Sequence, residues 1–273
     1  MSMGKWAKSL FGREKFDSVG FVLAGTIKPE FEKKVLGLFD EVVSSKDAVY
    51  HGHLVQYKRH YYPVLTNVYG SPAMLDSITE MHDGGCRNII FIGYAYGGFK
   101  NLDVGSVVLP IKSYHFDGIY SSLDPSRKLS VPDKDLRNKI KAILDKADIT
   151  YVEGPNISVP AVSFQLPHAN QRYREIKPVS LEMELASCFS RAKDIGIRAA
   201  GILIISDNRN TSIADEEKSD IRRNSKLKVI RHLIKNIREF NLPGLKTRRK
   251  FDIDDHLASI IEDPEDVTNI YKR

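Results

Sequence analysis

Two carboxylates, Glu184 and Asp207, are the residues of this chain best placed to do chemistry together. Carboxyl groups donate and accept protons, so two of them converging on one site suit acid–base work. Asp207 belongs to Ser206-Asp207-Asn208, which closes 199–205, a nearly unbroken apolar run of strand length. In an open α/β sheet ligands bind at the carboxyl ends of strands, and Asp207 falls at such an end. Glu184 lies in Glu182-Met183-Glu184, within a segment where Leu181, Met183, Leu185, Ala186, Phe189 and Ala192 predict a helix with a broad apolar face, broken at Gly196. A helix feeding a buried strand would therefore carry both acids. A third carboxylate, Glu30, stands five residues after Gly25.

The rest of the chain supplies the elements that must hold these groups. Val19–Ala24 reads as a first buried strand ending at Gly25, and Pro29 suits the first turn of a helix that follows. The runs AVYHGHLVQY and HYYPVLTNVY, flanking Lys58-Arg59, read as a hairpin, and 72–82 as a helix ended by Asp83-Gly84-Gly85. Residues 88–93 form another apolar strand running into Tyr94-Ala95-Tyr96-Gly97-Gly98, where adjacent glycines let backbone approach a ligand or turn tightly. A strand is expected within 103–110. Residues 133–148 predict an amphipathic helix with Leu136, Ile140, Ile143 and Leu144 inward, 159–164 a strand, and 213–240 a long basic helix with a solvated face.

Glu182-Met183-Glu184, the strand ending in Ser-Asp-Asn, Gly97-Gly98 and the run Val104-Gly105-Ser106-Val107-Val108-Leu109-Pro110 together resemble the nucleoside phosphorylase and nucleosidase superfamily. There the corresponding patterns are E-M-E-A, S-D and V-G-D-I-V-x-P. The resemblance implies an α/β fold: a single domain with a central mixed β-sheet flanked by helices, nucleoside phosphorylase-like, over 18–240. A basic leader, 1–17, precedes it and a charged extension, 241–273, follows. The implied reaction is cleavage of an N-glycosidic bond, with Asp207 protonating the leaving base, Glu184 holding the ribose hydroxyls and Met183 packing beneath the sugar. Phe164 stands where the family carries an aromatic that stacks on the base, and Gly25, Gly97 and Tyr94 line the sugar and acceptor side. The acceptor is phosphate in the phosphorylases and water in the nucleosidases.

Three arginines that clamp phosphate in the resembling phosphorylases are replaced here by Pro29, Ala48 and Phe91 or Ile92. Lys28 and Lys46 are point charges and substitute only partly for bidentate guanidiniums. Hydrolysis is therefore favoured, with Glu30 matching the glutamate that activates water in the methylthioadenosine/S-adenosylhomocysteine nucleosidases. Phosphorolysis is the alternative within the class. Binding without turnover is the alternative outside it, because Tyr94 and Tyr96 are bulky where the family keeps small residues. No cofactor is implied, phosphate being a co-substrate only in a phosphorylase, and the resemblance implies a homo-oligomer, a dimer or hexamer.

Composition bounds these readings. The 273 residues, 42% hydrophobic, suffice for one large domain with a substantial core. The net charge of +6 suits phosphorylated ligands or nucleic acid, yet no zinc-ligand spacing, helix-turn-helix or aromatic RNA-binding motif accompanies it, so nucleic acid is not expected as a partner. His51, His53 and His60 read as hairpin surface with no nearby Cys or paired carboxylates, and no metal is expected. Cys86 and Cys188 fall in segments that read as buried, which favours free thiols and a reducing, cytoplasmic setting. No apolar run is long enough to span a membrane.

Overall fold

The computed structural model describes residues 4–25, 27–100, 102–123, 125–165 and 170–246. In chain order the elements are α1 (Lys5–Phe11), β1 (Val19–Ala24), α2 (Pro29–Leu36), β2 (Glu41–Asp47), β3 (His51–Tyr57), β4 (His60–Val68), α3 (Gly70–Asp83), β5 (Asn88–Gly97) and β6 (Val107–His115). They continue with α4 (Ile119–Leu123), β7 (Leu129–Ser130), α5 (Lys134–Lys146), β8 (Tyr151–Ser158), α6 (Gln171–Ile176), β9 (Ser180–Glu182), α7 (Leu185–Asp194), β10 (Arg198–Asp207) and α8 (Ser219–Lys235). One mixed sheet joins all ten strands. The expected class, a central mixed sheet flanked by helices, is what the chain builds.

Strand periodicity makes the layers. Side chains alternate across a sheet, so Phe21 and Leu23 of β1, with Ile90 and Ile92 of β5 and Ile202 and Ile204 of β10, share one core with α2, α5 and α8. Val22, Ile89, Phe91, Leu203 and Ile205 point the other way and pack against α1, α3 and α7. Strands buried on both faces read as unbroken apolar runs, which is why these three were legible from sequence.

Strand β5 is the axis of the sheet. Along one edge it pairs in parallel with β1 over 88–92, and where β1 departs, β9 takes over antiparallel at Tyr96 and Gly97. Its other edge is parallel to β10 throughout. Because β10 also pairs with β6, β6 with β8 and β8 with β9, five strands close into a ring, while β1, β4, β3 and β2 run outward as an open wing. The carboxyl ends of β1, β5 and β10 gather where β1 and β9 diverge.

Three expectations are corrected, and one strand was not foreseen. Residues 180–182 are strand, and the helix begins only at Leu185, because the Glu182 carboxylate accepts the backbone N–H groups of Glu184 and Leu185 (both 2.7 Å) and caps that helix. Strand β8 ends at Ser158, and Val162–Phe164 is a single 3-10 turn. The stretch 213–240 is α8 followed by a 3-10 turn over Ile237–Phe240, and its basic face is partly interior: Lys226 is fully buried and Arg222 nearly so. Strand β2, polar and exposed at the outer edge, carries no apolar pattern and was not expected. The hairpin turn at Lys58-Arg59 stands, both residues adopting positive φ. The basic leader is α1, its Ala7, Leu10 and Phe11 buried and Asp83 of α3 accepting N–H groups at its start. Of the extension, residues 241–246 pack back on the domain, Leu245 N–H donating to Gly196 O (2.9 Å), and 247–273 lie outside the described residues. Among the described residues no helix is long and apolar enough to cross a membrane.

Candidate active site

Glu184 is set by the turn between β9 and α7. Nearly buried, it accepts the N–H of Gly70 through Oε1 (2.7 Å), at the junction of β4 and α3. Gly70 has φ +81°, a left-handed value that suits glycine. Burial, and then the neighbouring Glu182 carboxylate, push the Glu184 carboxyl up to about 8. Glu182 itself is consumed structurally, its Oε1 accepting from Asn156 Nδ2 (2.7 Å) and Ser158 Oγ while Oε2 caps α7. Met183 is buried beside Leu181, Val159 and Tyr173, with Tyr96 packed against them, and its carbonyl accepts from Ser71 Oγ (2.8 Å).

Asp207 ends β10 opposite Tyr96, and on the other edge of β5 Tyr96 faces Leu181. One β5 residue thus spans the gap between the strand carrying Asp207 and the one leading to Glu184. Burial raises the Asp207 carboxyl above its ordinary value, opposed by Ser206 Oγ, which donates to Oδ1 (2.5 Å), and by the Arg222 guanidinium. Arg222 holds this corner together by donating to the carbonyls of Ser206, Ile213 and Asp215 (2.8–2.9 Å).

A cavity of about 440 Å³ opens beside these strand ends, lined among others by Ile27, Lys28, Tyr94, Ser206, Arg222 and Arg223. Neither Glu184 nor Asp207 lines it directly; Tyr94 and Ser206 are the points of contact. Behind Tyr94 sits Lys226, its Nζ 4.0 Å from the ring centroid and donating to Ala24 O (3.4 Å) at the end of β1. Burial lowers the Lys226 ammonium to about 7, and the charge of Glu184 partly restores it. Lys226 and Arg222 escaped the sequence reading because a basic helix is ordinarily solvated. The available signal was their spacing, i and i+4, on the face that also carries Val229, Ile230 and Leu233.

The remaining expected residues divide. Gly25, with φ +82°, has nothing within 4 Å of where a Cβ would stand, so backbone there faces open space. Gly97 is small for packing: an added Cβ would meet Asn208 Cβ at 3.2 Å and Leu102 O at 3.3 Å. Phe164 is 57% exposed on its 3-10 turn, which excludes a core role. Glu30 is exposed on α2 and does not line the cavity. The helix turns Phe31 and Val35 into the core, and this rotation brings Glu32, not Glu30, against the sheet. There it meets His51 and His53, so the expectation of a hairpin surface is corrected: His53 is buried, and one carboxylate distant in sequence reaches both rings. His60 does lie apart, paired with Asp17.

The family model of the phosphorylase superfamily matches residues 70–239, more than half of the chain. Among solved structures, the chain is similar to the 5′-methylthioadenosine/S-adenosyl homocysteine nucleosidase of Campylobacter jejuni, with a TM-score of 0.68 and 16% identity over 81% of this chain and 97% of that one. It is similar to the purine nucleoside phosphorylase of Toxoplasma gondii, solved in complex with immucillin-H, with a TM-score of 0.69 and 18% identity over 82% and 93%. It is also similar to a futalosine hydrolase mutant of Helicobacter pylori strain 26695, with a TM-score of 0.66 and 18% identity over 81% and 99%. The structural likenesses establish the shared fold, and the family match, running from the Gly70 junction through α8, takes in both carboxylates: the chain belongs to the phosphorylase superfamily, a family of enzymes.

Proposed function

We propose that this chain cleaves the N-glycosidic bond of a nucleoside or nucleotide and that water is the acceptor. The observation that carries the reading is the pair Asp207, at the end of β10, and Glu184, in the turn after β9, the two strands that flank Tyr96. As the bond breaks, negative charge develops on the base and positive charge on the ribose. Asp207, its pKa raised by burial, suits the general acid that protonates the base. Glu184 suits the partner of the ribose hydroxyls: burial and the Glu182 carboxylate hold it toward the neutral form, which the N–H groups of Gly70 and Met183 oppose. Met183 supports the sugar. Exposed Phe164 is proposed to stack on the base only once substrate is bound.

Water is favoured because the positions of the expected phosphate clamps hold no guanidinium: Phe91 and Ile92 are core residues, and Pro29 and Ala48 are exposed. Arg222, the nearest buried guanidinium, is committed to three carbonyls. Glu30 is left out of the mechanism. One observation favours phosphorolysis as the second reading, since Lys28 and Arg223 line the cavity beside the Gly25 loop. Incubating the purified protein with a nucleoside and nucleotide panel, with and without phosphate, and following free base against ribose or ribose 1-phosphate separates the two. Base release without phosphate supports hydrolysis, and strictly phosphate-dependent release overturns it. Ligand-induced thermal stabilisation with no base release from any substrate would leave a binding protein. The proposal includes no cofactor and a homo-oligomer, which light scattering on the purified chain tests.

A further inference from the structure

On β3, His51 and His53 are two apart, so both imidazoles fall on one face of the strand, the face that α2 covers. Glu32 Oε1 lies 3.1 Å from His51 Nδ1 and 3.2 Å from His53 Nε2. All three donor atoms lie within 4.8 Å of one another. Tetrahedral zinc with metal–nitrogen bonds near 2.0–2.1 Å sets its ligand atoms roughly 3.3 Å apart, which the two Glu32 edges match. The supporting contacts are those a ligating histidine needs: His53 Nδ1 is engaged by Ser45 Oγ (2.9 Å), which leaves Nε2 to face Glu32 Oε1 and the Thr66 hydroxyl (3.2 Å), which itself donates to Glu32 Oε1.

Hydrogen-bond polarity gives an independent reason to place a cation here. Ile27 N–H donates to Asn67 Oδ1 (2.6 Å), which fixes the amide so that its Nδ2 faces His51 Nδ1 (3.2 Å). A donor on that side makes Nδ1 a lone pair, and the same atom faces a carboxylate oxygen. Two acceptors at 3.1 Å are reconciled by a positive charge between them. The trio also has a route to solvent: Glu32, His53 and Ser45 line an open groove between α2 and β2, with Asp40, Glu41 and Asp47 at its sides.

We propose that Glu32, His51 and His53 form a binding site for a first-row divalent metal of the zinc type, its remaining position open to water. Imidazole donors select such ions over magnesium and calcium. The bound ion ties α2 to β3 and so steadies the segment Ile27–Phe31 at the cavity, whatever reaction the chain carries out.

The test is calorimetric titration of the chelator-treated, full-length protein with zinc and with magnesium, alongside metal analysis and thermal melting. One zinc equivalent should bind and raise the melting temperature, magnesium should not compete, and cobalt loading should give a visible four- or five-coordinate spectrum. His51→Ala, the most exposed of the three, should lower zinc affinity at least tenfold while the metal-free melt stays cooperative. Ser45→Ala should weaken binding about tenfold by releasing the His53 ring. His60→Ala, which leaves the trio intact, should bind as the parent does. Absence of saturable zinc binding, or binding undiminished in both His51→Ala and Glu32→Gln, overturns the proposal and leaves a Glu–His hydrogen-bonded cluster only.

Discussion

The place of Asp207 at a strand end was readable because the apolar run of β10 sets it, whereas Glu184, expected within a helix, lies in the turn before α7. Replacing Asp207 with Asn keeps the side chain's size and its place opposite Tyr96 but removes the proton, so turnover should fall by about 10²- to 10⁴-fold with an unchanged fold, seen by kinetics alongside circular dichroism. Lys226 was not readable: nothing in a basic helix says which lysine turns inward. Its burial has a signed consequence. The folded value near 7, below the ordinary 10.5, means that the stability associated with a neutral Lys226 is lost as pH falls from about 10.5 toward 7. Glu184, raised to about 8 from 4.5, gives stability that is lost as pH rises across that interval. The two effects oppose each other, Glu184 lowering and Lys226 raising stability as pH rises. Lys226→Met should remove the alkaline limb, so that chemical denaturation between pH 7 and 10 shows a flatter profile than the parent.

At the scale of elements, what was legible tracks burial. Strands β1, β5 and β10, buried on both faces, and α5, whose Leu136, Ile140, Ile143 and Leu144 are all interior, announce themselves through apolar runs and helical spacing. Strand β2 pairs with β3 on one edge and meets α1 through Ser44 Oγ, which donates to Phe11 O, and has no apolar code to read. The α7 start was misplaced for a different reason: Leu181 and Met183 are apolar because they pack with Val159 and Tyr173, which mimics a helical face. The β3–β4 hairpin gives an element-level prediction. Lys58 and Arg59 hold φ of 49° and 67°, the turn conformation that favours Asn-Gly, and the exposed Arg59 bears the larger positive angle. Arg59→Gly should stabilise the protein by about 0.5–1 kcal/mol, measured as a higher denaturation midpoint at constant m-value.

Across the whole molecule, the sheet has two regions of different character. The ring formed by β5, β10, β6, β8 and β9 has no loose edge, whereas the wing ends in β2, exposed and unpaired on its outer side among the described residues. Amide exchange should follow this division, with β5 and β10 protected to the level of global unfolding and β2 exchanging first. The ring also fixes an order of events during synthesis. Asn88 of β5 pairs with Arg198 of β10, so the chain must carry a half-finished β5 through all the intervening residues before its partner exists. A bare, apolar strand edge is a template for wrong pairing. A chain stopped before residue 198 should therefore accumulate as insoluble protein, while one stopped after 246 should stay in solution. The last strand among the described residues supplies Asp207, so that carboxylate and the closure of the sheet arrive together.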